Sequence, residues 1–591
     1  MKNVIDTFMS YLNLYPKALS RWIVRVLALC TIAALVTGII GFVQYGRLNQ
    51  NEFSLSTVLY QTVQLFFMRF LYFEQPIPVM LDWARWLAAA SILLAVVEVA
   101  KAMFRAELTA FLLKRLSGHT VVCGLSQKTQ LLVCCLLKNK EQVVVIDKAP
   151  LPDLDNICHH AGGHVIEGDA THLEVLRRAG VERAAQLYAL CPDDSTNCEI
   201  AAQARSIRSQ VKQELRCHVH LSDLDLRQSL QQNLTKDHRN VKIDFFDLFD
   251  LEARRLLRED LPLDRGGLHK DDPRRAHLVI LGFGRMGRAL ALRAVQVGIF
   301  ASGKPIRISV IDRCAEDRQA SLLFRYPMFA ELCDLKFHTL DAVTLQARNL
   351  IREWCSDKEY VTSVAICFDN EPRALEVAMQ LYMLLNTFDV RLAVRMARQS
   401  GLAHLFKETE VNSLEWIRPF GVYEDCCDPE LLSDALDDRL AKKIHEFYEI
   451  NLSPQPAPPT VSDLPGWDDI SEDFRESNRQ QAAHIFVKLR TIDCEVVEKS
   501  DPRPAVTEFK PDQIEMLARM EHERWVIERK LAGWTLGPRK EGSKTNPYLD
   551  DWDKVPPKIQ EYDVKFVRLI PKLLDDFNRK ACINKPNPTG A

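Results

Sequence analysis

The chain has 591 residues, a mass of 67.6 kDa, a formal net charge of -3 and a sequence pI near 6.6. This length exceeds one hydrophobic core and predicts roughly three to five domains, while the near-neutral charge gives no positive field that would collect nucleic acid, so no nucleic-acid partner is predicted. The sixteen cysteines include no CxxC pairs at zinc spacing, which predicts free thiols in a reducing cytosol and no metal site.

Two apolar stretches near the N-terminus are long enough to cross a bilayer as helices. Residues 22–43 are almost wholly apolar, and residues 83–104 form a weaker candidate because charged residues flank its centre. A charge at mid-membrane costs about 2.5 to 3.5 kcal/mol, so Glu98 is expected at an interface or inside a helix bundle. Lysines and arginines precede the first span and follow the second, which predicts two spans with both termini in the cytoplasm.

Residues 53–73, between the two spans, are apolar and aromatic and are followed by Glu74, Pro76 and Pro78. This composition suits a hydrophobic hairpin segment half inserted in the membrane, and an aromatic belt at the membrane surface is an equally good interpretation. Together with the spans, the segment defines a predicted membrane domain over residues 1–116, and the bulk of the chain is then cytosolic.

From residue 120 onward the apolar pattern becomes that of strands alternating with helices. Residues 120–123 and 142–146 are predicted strands on either side of a helix, and Gly-Asp-Ala at 168–170 corresponds to Leu-Asp-Ala at 340–342. This internal repeat predicts an α/β fold with two tandem Rossmann-like parallel-sheet domains, the first over residues 117–262.

The second unit, over residues 275–450, carries the stronger motif. It has a strand, a turn that reads G-F-G-R-M-G from Gly282, a helix, and a second strand that ends at Asp312. Glycines at this spacing make the turn, admit a pyrophosphate to the backbone and pack the helix on the sheet, and the acid accepts from a ribose hydroxyl. NAD or another adenine nucleotide is therefore the expected ligand; the alternative is that the glycines serve packing alone. The predicted cofactor-binding residues are Gly282, Gly284, Gly287 and Asp312.

The corresponding turn of the first unit reads G-L-S-Q-K-T from Gly124. Two of the three glycine positions hold larger residues, so this phosphate site is predicted to be degraded. Asp193 and Asp194 follow a later strand of the same unit. They are candidates for binding a cation, but a solvated turn at the end of the strand is the favoured interpretation.

Two polar segments mark the remaining boundaries. Residues 261–276 form a predicted connector between the Rossmann units, and the prolines at 453–460 predict an extended spacer. Beyond the spacer, residues 472–490 and 511–531 have helical apolar spacing. A third, mostly helical cytosolic domain is therefore predicted over residues 461–580.

Two spans, an intervening hydrophobic segment and a cytosolic Rossmann unit resemble potassium-channel subunits and transport proteins with regulator-of-potassium-conductance (RCK, TrkA-N-type) domains. The resemblance covers roughly residues 55–425 and includes Val-Val-Cys-Gly at 121–124, Val-Ile-Asp at 145–147 and Cys-Pro-Asp-Asp at 191–194. It implies an eightfold ring of Rossmann units supplied by a homotetramer, which is embedded in the lipid bilayer of the cell (inner) membrane.

The pore segment departs from that family. A potassium filter is made of backbone carbonyls in a glycine-bearing loop, yet no glycine occurs between Gly46 and Gly118, and the filter position reads F-M-R-F-L from Phe67. No potassium selectivity filter is predicted. The segment is then a different pore, a closed plug or a membrane anchor.

The C-terminal part resembles the ryanodine-receptor repeat (RyR domain) of bacterial multidomain proteins over about residues 465–575. Its motifs are M-E-H-E-R-W at 520–525, G-W-T-L-G at 533–537 and N-P-Y-L at 546–549, where Asn546 replaces the usual histidine. Aromatic faces beside positive charge suit a stacked base and a phosphate; the alternative is that the tryptophans fill the domain core. The predicted ligand-binding residues are Arg524, Trp525, Trp534, Arg539 and Tyr548.

Three classes of function compete. The favoured class is a ligand-sensing membrane protein with ion-channel-like architecture, and the alternatives are a membrane-anchored NAD-dependent oxidoreductase and a non-conducting membrane effector or scaffold. His522, Glu523 and Arg524 lack the second histidine of a zinc pair. No catalytic residue and no enzymatic activity are predicted.

Overall fold

A computed structural model describes residues 17–49, 53–67, 77–124, 127–150, 158, 163–208, 213–222, 230, 240–265, 267–396, 417–421, 436–452, 466–467, 470, 472–540 and 543–584. The predicted proline spacer at 453–460 lies outside the described residues, as does most of the predicted filter motif, from Met68 to Leu71.

Two long helices near the N-terminus pack against each other. Each contains a stretch that is apolar and long enough to cross a bilayer, Arg25–Leu48 and Val79–Val97. They approach closely at Gly41, where an added Cβ would lie 2.6 Å from the backbone nitrogen of Leu81, and small residues at such crossings are typical of membrane helix pairs. The helices of this region are α1 (Lys17–Leu48), α2 (Leu55–Gln64) and α3 (Val79–Leu113).

Two six-stranded sheets follow, and every pair of neighbouring strands in them is parallel. The strands of the first sheet are β1 (Thr120–Cys123), β2 (Val143–Asp147), β3 (His164–Glu167), β4 (Gln186–Ala189), β5 (Leu215–His220) and β6 (Val241–Phe246). The strands of the second sheet are β7 (Arg275–Leu281), β8 (Arg307–Asp312), β9 (Asp334–Thr339), β10 (Tyr360–Ile366), β11 (Arg391–Arg395) and β12 (Ile417–Phe420).

The strand orders are β3-β2-β1-β4-β5-β6 and β12-β11-β10-β7-β8-β9. Counted within each unit, both correspond to the 3-2-1-4-5-6 order of dinucleotide-binding folds, which confirms the two predicted Rossmann-like units. The central strands are continuous apolar runs because helices cover both faces of a parallel sheet. The helices of the two units are α4 (Gln127–Lys138), α5 (Leu173–Arg178), α6 (Asp194–Arg208), α7 (Leu248–Arg255), α8 (Arg285–Val297), α9 (Ala315–Arg325), α10 (Phe329–Leu332), α11 (Leu345–Ser356) and α12 (Glu371–Leu385).

The C-terminal domain is mostly helical, as predicted. Helix α13 lies inside the range predicted for the second Rossmann unit, but it packs against α14, where Gln481 donates to the Tyr448 hydroxyl at 2.9 Å. The elements of this domain are α13 (Leu436–Leu452), α14 (Glu472–Thr491), α15 (Pro511–Leu531), α16 (Pro557–Asp576), β13 (Cys494–Glu498), β14 (Thr535–Leu536), β15 (Thr545–Asn546) and β16 (Arg579–Ile583).

The second Rossmann unit and the C-terminal domain share one hydrophobic core. Leu290 and Ala294 of α8 belong to the same buried cluster as Ile485 of α14 and Met520 of α15. At its edge, the His484 Nε2 atom lies 3.0 Å from the carbonyl oxygen of Ile299. The two regions therefore form one packed body.

The connector between the Rossmann units belongs to this body too. It was expected to be polar, but Leu263 and Leu268 are buried. Asp264 pairs with Arg490 of α14 at 2.9 Å, and a Cβ at Gly267, which has φ +120°, would lie 2.5 Å from the Arg490 carbonyl oxygen. The C-terminal domain therefore covers the connector.

Four charged residues join α7, α8 and α14, and we call them the ion-pair junction. Arg254 contacts Asp250 at 3.0 Å and Glu476 at 2.6 Å. Arg293 also pairs with Asp250 and contacts Glu476 at 2.7 Å. Burial opposes ionisation of the two carboxyls, but the charges of Arg254 and Arg293 outweigh it and lower the pKa of both Asp250 and Glu476. The junction links the end of the first unit to the second unit and the C-terminal domain.

Candidate ligand-binding sites

The three glycines of the second-unit turn differ in what their surroundings require. Gly282 has φ +89°, a left-handed conformation that favours glycine. A Cβ at Gly287 would overlap the Gly282 carbonyl oxygen, so this glycine lets α8 pack on the sheet. Gly284, at the start of α8, has no described atom within 4 Å of the position of a Cβ. Nothing in the described chain requires a glycine there, which leaves its backbone accessible to a ligand.

Asp312 lies directly beside this turn. Its carboxylate accepts hydrogen bonds from the backbone nitrogens of Phe283 at 2.7 Å and Cys314 at 2.8 Å. A carboxylate has about four acceptor positions, so two remain for hydroxyl donors. Asp312 therefore fixes the turn and is also placed to accept from a ribose.

The crevice between β7 and β10, where the strand order reverses, has a rim of residues beyond the predicted cofactor-binding set. A Cβ at Gly282 would lie 2.7 Å from the Phe368 ring. The Arg373 guanidinium lies 5.7 Å from the centroid of that ring and pairs with Asp341 at 2.5 Å. The tandem repeat marks the position of this rim in the sequence, because Phe368 corresponds to Pro192 of the first unit. Phe368, Arg373 and Asp341 thus border the predicted nucleotide site.

In the first unit the turn also begins with a left-handed glycine, Gly124 at φ +95°. A Cβ there would lie 3.1 Å from the Cys191 backbone nitrogen. Of the two residues at the altered glycine positions, Ser126 lies outside the described residues, whereas Thr129 is buried. The predicted loss of this phosphate site therefore stays a prediction.

The acidic pair of the first unit has local partners. Asp193 accepts from the backbone nitrogen of Thr196 at 2.9 Å, and Asp194 accepts from that of Ser222 at 3.0 Å. These contacts hold the start of α6 and a neighbouring loop, which is a structural role. Among the described residues, no group of three metal-ligating side chains lies together.

A large cavity lies between α8 and the C-terminal domain, with a volume of about 1210 Å³. One wall is the face of α8 that points away from its own sheet. All five residues predicted for the C-terminal ligand site line this same cavity. They are Arg524, Trp525, Trp534, Arg539 and Tyr548.

The tryptophans of the C-terminal domain divide between the core and this cavity. Trp552 is buried at 7% exposure and packs edge-on against His522. Trp525 and Trp534 are half-buried and line the cavity, and the Arg529 guanidinium lies 5.5 Å from the Trp534 ring centroid. The two cavity tryptophans therefore have positions suited to stacking, although the ligand role itself remains a prediction.

The two predicted arginines are in different electrostatic environments. Arg524 is 3% exposed and contacts Glu521 at 2.8 Å and Glu528 at 2.6 Å. Burial opposes its charge, but the two carboxylates outweigh burial and raise the pKa of Arg524. Arg539 is exposed, and within the described chain its side chain makes no ion pair or hydrogen bond. An incoming anion would compete with two carboxylates at Arg524 but with none at Arg539.

Behind Arg524 lies a fully buried charge pair. The Lys488 Nζ atom is 2.6 Å from Glu521 and 2.8 Å from the His484 Nδ1 atom. Burial lowers the pKa of Lys488 and, well below its usual value, that of His484. This network fixes α14 against α15 beneath the cavity floor.

His522, Glu523 and Arg524 do not converge. The His522 Nε2 atom lies 2.9 Å from the Asp550 carbonyl oxygen, whereas Arg524 points to its two glutamates. His522 and Arg524 line the cavity, but Glu523 is not part of the lining. The absence of enzymatic activity stays a prediction.

The first Rossmann unit is similar in sequence to a known domain and to part of a known channel. Residues 120–234 match the TrkA-N domain. Over 96 residues, 16% of this chain, the sequence is 30% identical to the voltage-gated potassium channel Kch of Escherichia coli strain K12, and the match spans only 23% of that channel. The chain thus contains a TrkA-N-type unit and is similar in part to a potassium channel.

Two solved structures are also similar. GsuK bound to ADP has 15% sequence identity and a TM-score of 0.37, covering 71% of this chain and 98% of that one. The GsuK channel bound to NAD has 14% identity and a TM-score of 0.38, covering 74% of this chain and 86% of that one. Similarities at this level establish neither a ligand nor an assembly for this chain, and the RyR resemblance stays a prediction.

Proposed function

We propose that the protein is a ligand-sensing membrane protein with ion-channel-like architecture. The observation that carries the proposal is the open space at Gly284, at the N-terminus of α8 and the carboxyl edge of a parallel sheet. A glycine that no contact in the described chain requires fits a pyrophosphate that approaches its backbone. NAD or another adenine nucleotide is the proposed ligand, with Asp312 on its ribose.

The contacts between the membrane helices and the first Rossmann unit support the coupling part of the proposal. Arg183 donates to the carbonyl oxygens of Leu116 at 3.0 Å and Leu113 at 3.4 Å. A cation that binds the last carbonyls of a helix stabilises its end. Because Arg183 precedes β4, a shift in the first unit would be transmitted to the end of α3.

The chain continues this connection to the ligand sites. Helix α7 follows the last strand of the first unit, packs on α8 and enters the ion-pair junction. We propose that the chain assembles as a homotetramer in the cell (inner) membrane, with both termini cytoplasmic, and that the C-terminal domain is an RyR domain and a second sensing element. We propose that the protein either conducts ions without potassium selectivity or is a non-conducting membrane effector or scaffold.

Binding to the purified full-length protein in detergent tests the proposal. NAD and ADP should bind to the wild type, and Gly284→Val should abolish binding at the turn while the thermal melting curve stays unchanged. Loss of binding together with a large loss of stability would leave no separate ligand role for Gly284. Binding that survives Gly284→Val and disappears when the first-unit turn is changed would move the site to that unit.

Two further measurements separate the function classes. Steady hydride transfer to or from the nicotinamide by the same preparation would favour the oxidoreductase over the sensor. In liposomes, any ligand-dependent ion flux should show no preference for potassium over sodium. A potassium-selective current would contradict the interpretation of the glycine-free segment.

A further inference from the structure

The cavity beside α8 has cations from two different domains. Arg285 and Arg288 lie in the first turn of α8, and Arg539 follows β14 in the C-terminal domain. In the described part of the chain, none of these three side chains has an ion-pair or hydrogen-bond partner, whereas Arg293 and Arg524 in the same lining are neutralised by carboxylates. A guanidinium presents a fork of donors that matches phosphate oxygens. The cavity therefore offers anion-binding groups on two walls.

Aromatic side chains line the same space. Trp525 and Trp534 come from α15 and the turn after it, and Tyr548 and Tyr562 follow in the chain. All four are partly exposed and not absorbed into the core. Half-buried aromatic faces beside unpaired arginines suit a ligand with a planar ring and negative charge.

The size of the cavity restricts the ligand further. Small-molecule sites usually measure about 300 to 1,000 Å³, and this cavity is larger, at about 1210 Å³. A single phosphate or a lone ring would leave most of the lining unused. A ligand that reaches both arginine groups needs more than one anionic group.

We propose that this cavity is a second ligand site, assembled jointly by the second Rossmann unit and the C-terminal domain, for a compound of the nucleoside diphosphate class. Its ring stacks on the cavity tryptophans, and its phosphates bind Arg288 and Arg539 from opposite domains. The inference rests on the proposed sensing function and extends it, because the site requires Arg288 of α8 as well as the C-terminal residues. Its lining includes Arg285 of the glycine turn but none of Gly282, Gly284, Gly287 and Asp312, so the two sites adjoin at the start of α8 without sharing the predicted cofactor-binding residues.

Titration calorimetry on the full-length protein in detergent tests this, with ADP as the probe. A Gly284→Val background removes the turn site, so one ADP per chain should remain bound. AMP, with one phosphate, and pyrophosphate, without a ring, should bind about tenfold more weakly or worse.

Two variants in that background test the joint construction of the site. Arg288→Gln and Arg539→Gln should each weaken ADP binding about tenfold or more, with unchanged melting temperatures because neither side chain has a partner to lose among the described residues. Arg568→Gln, an exposed arginine on α16 outside the cavity lining, is the matched control and should have no effect.

Each outcome decides between the proposals. Loss with Arg539→Gln but not with Arg288→Gln would assign the site to the C-terminal domain alone and overturn the joint site. Loss of all ADP binding in the Gly284→Val protein would overturn the proposed cavity site. The proposal that ADP binds at the glycine turn of the wild type would then stand. If ADP binding depends on Arg288 and Arg539 but is unchanged by Gly284→Val, the result would support the proposed cavity site and contradict the proposed turn site.

Discussion

Replacing Arg293 with methionine tests how firmly the ion-pair junction holds the two Rossmann units and the C-terminal domain together. The Arg293 side chain is 8% exposed and contacts both Asp250 and Glu476. Methionine fills similar space but leaves two half-buried carboxylates that share Arg254, with Arg479 3.8 Å from Glu476 as the one other cation in contact among the described residues. Breaking a buried pair from one side costs about 3 to 5 kcal/mol. For a body of this size, the melting temperature should fall on the order of 10 °C.

The loss of stability in the Arg293→Met variant should increase with pH. In the wild type, burial opposes ionisation, but Arg254 and Arg293 lower the pKa of Asp250 and Glu476. Such carboxylates stabilise the fold above their unfolded pKa of about 4, and this stability is lost as the pH falls through the folded pKa. Without Arg293, one carboxylate takes up a proton at higher pH. The deficit of the variant should therefore be largest near pH 8 and shrink toward pH 5.

Thermal unfolding of the detergent-solubilised protein, followed by tryptophan fluorescence between pH 5 and pH 8, measures both effects. Arg288→Met changes the same helix at a residue that has no side-chain partner in the part of the chain that the structure describes, so it should leave the melting temperature unchanged. The double variant Arg293→Met with Glu476→Met leaves Asp250 and Arg254 as a matched pair and should regain most of the loss. A deficit at pH 8 no greater than that of Arg288→Met, or one that is independent of pH, would refute this account of the junction.

Three other predictions follow from the glycine turn, the membrane helices and the tandem Rossmann units. Gly287→Ala should lower the melting temperature, since its Cβ overlaps the Gly282 carbonyl and overpacking costs about 1 to 3 kcal/mol, whereas Gly284→Ala should not lower it; equal effects would contradict the distinct roles. Reporter fusions at residue 1 and after residue 120 should both report the cytoplasm, and a signal from the opposite side at either place would overturn the topology. Native mass spectrometry in mild detergent should give four chains, and a monomer or dimer would rule out the closed ring.

The parts of the fold that the sequence predicted are those that depend on local pattern. Strand β1 was predicted over its whole length, and helices α14 and α15 within one or two residues, because apolar period and turn glycines are visible in short windows. Phe368 was missed as part of the crevice rim, although the tandem repeat marked its position. No local rule says that the second residue after the fourth strand of a unit will lie over the first glycine of its turn.

The features that the sequence did not predict depend on contacts between residues far apart in the chain. The segment 261–276 contains glycines and prolines and was expected to be a connector, yet Asp264 pairs with Arg490, 226 residues further along the chain. Composition alone cannot show that a later domain will cover such a segment. In the same way, Arg288 had no distinguishing sequence feature until the C-terminal domain was seen opposite it.

The shared core has a practical consequence for dissecting the protein. A cut at the prolines of 453–460 matches the apparent domain boundary in the sequence, but it would separate Leu290 and Ala294 from Ile485 and Met520. Both fragments would then present apolar surface to water and tend to aggregate. A premature stop in the tail should therefore be recognised by cellular quality control as a misfolded protein, and would not yield a protein that has merely lost its C-terminal domain. Soluble pieces for crystallisation should instead run unbroken through both regions.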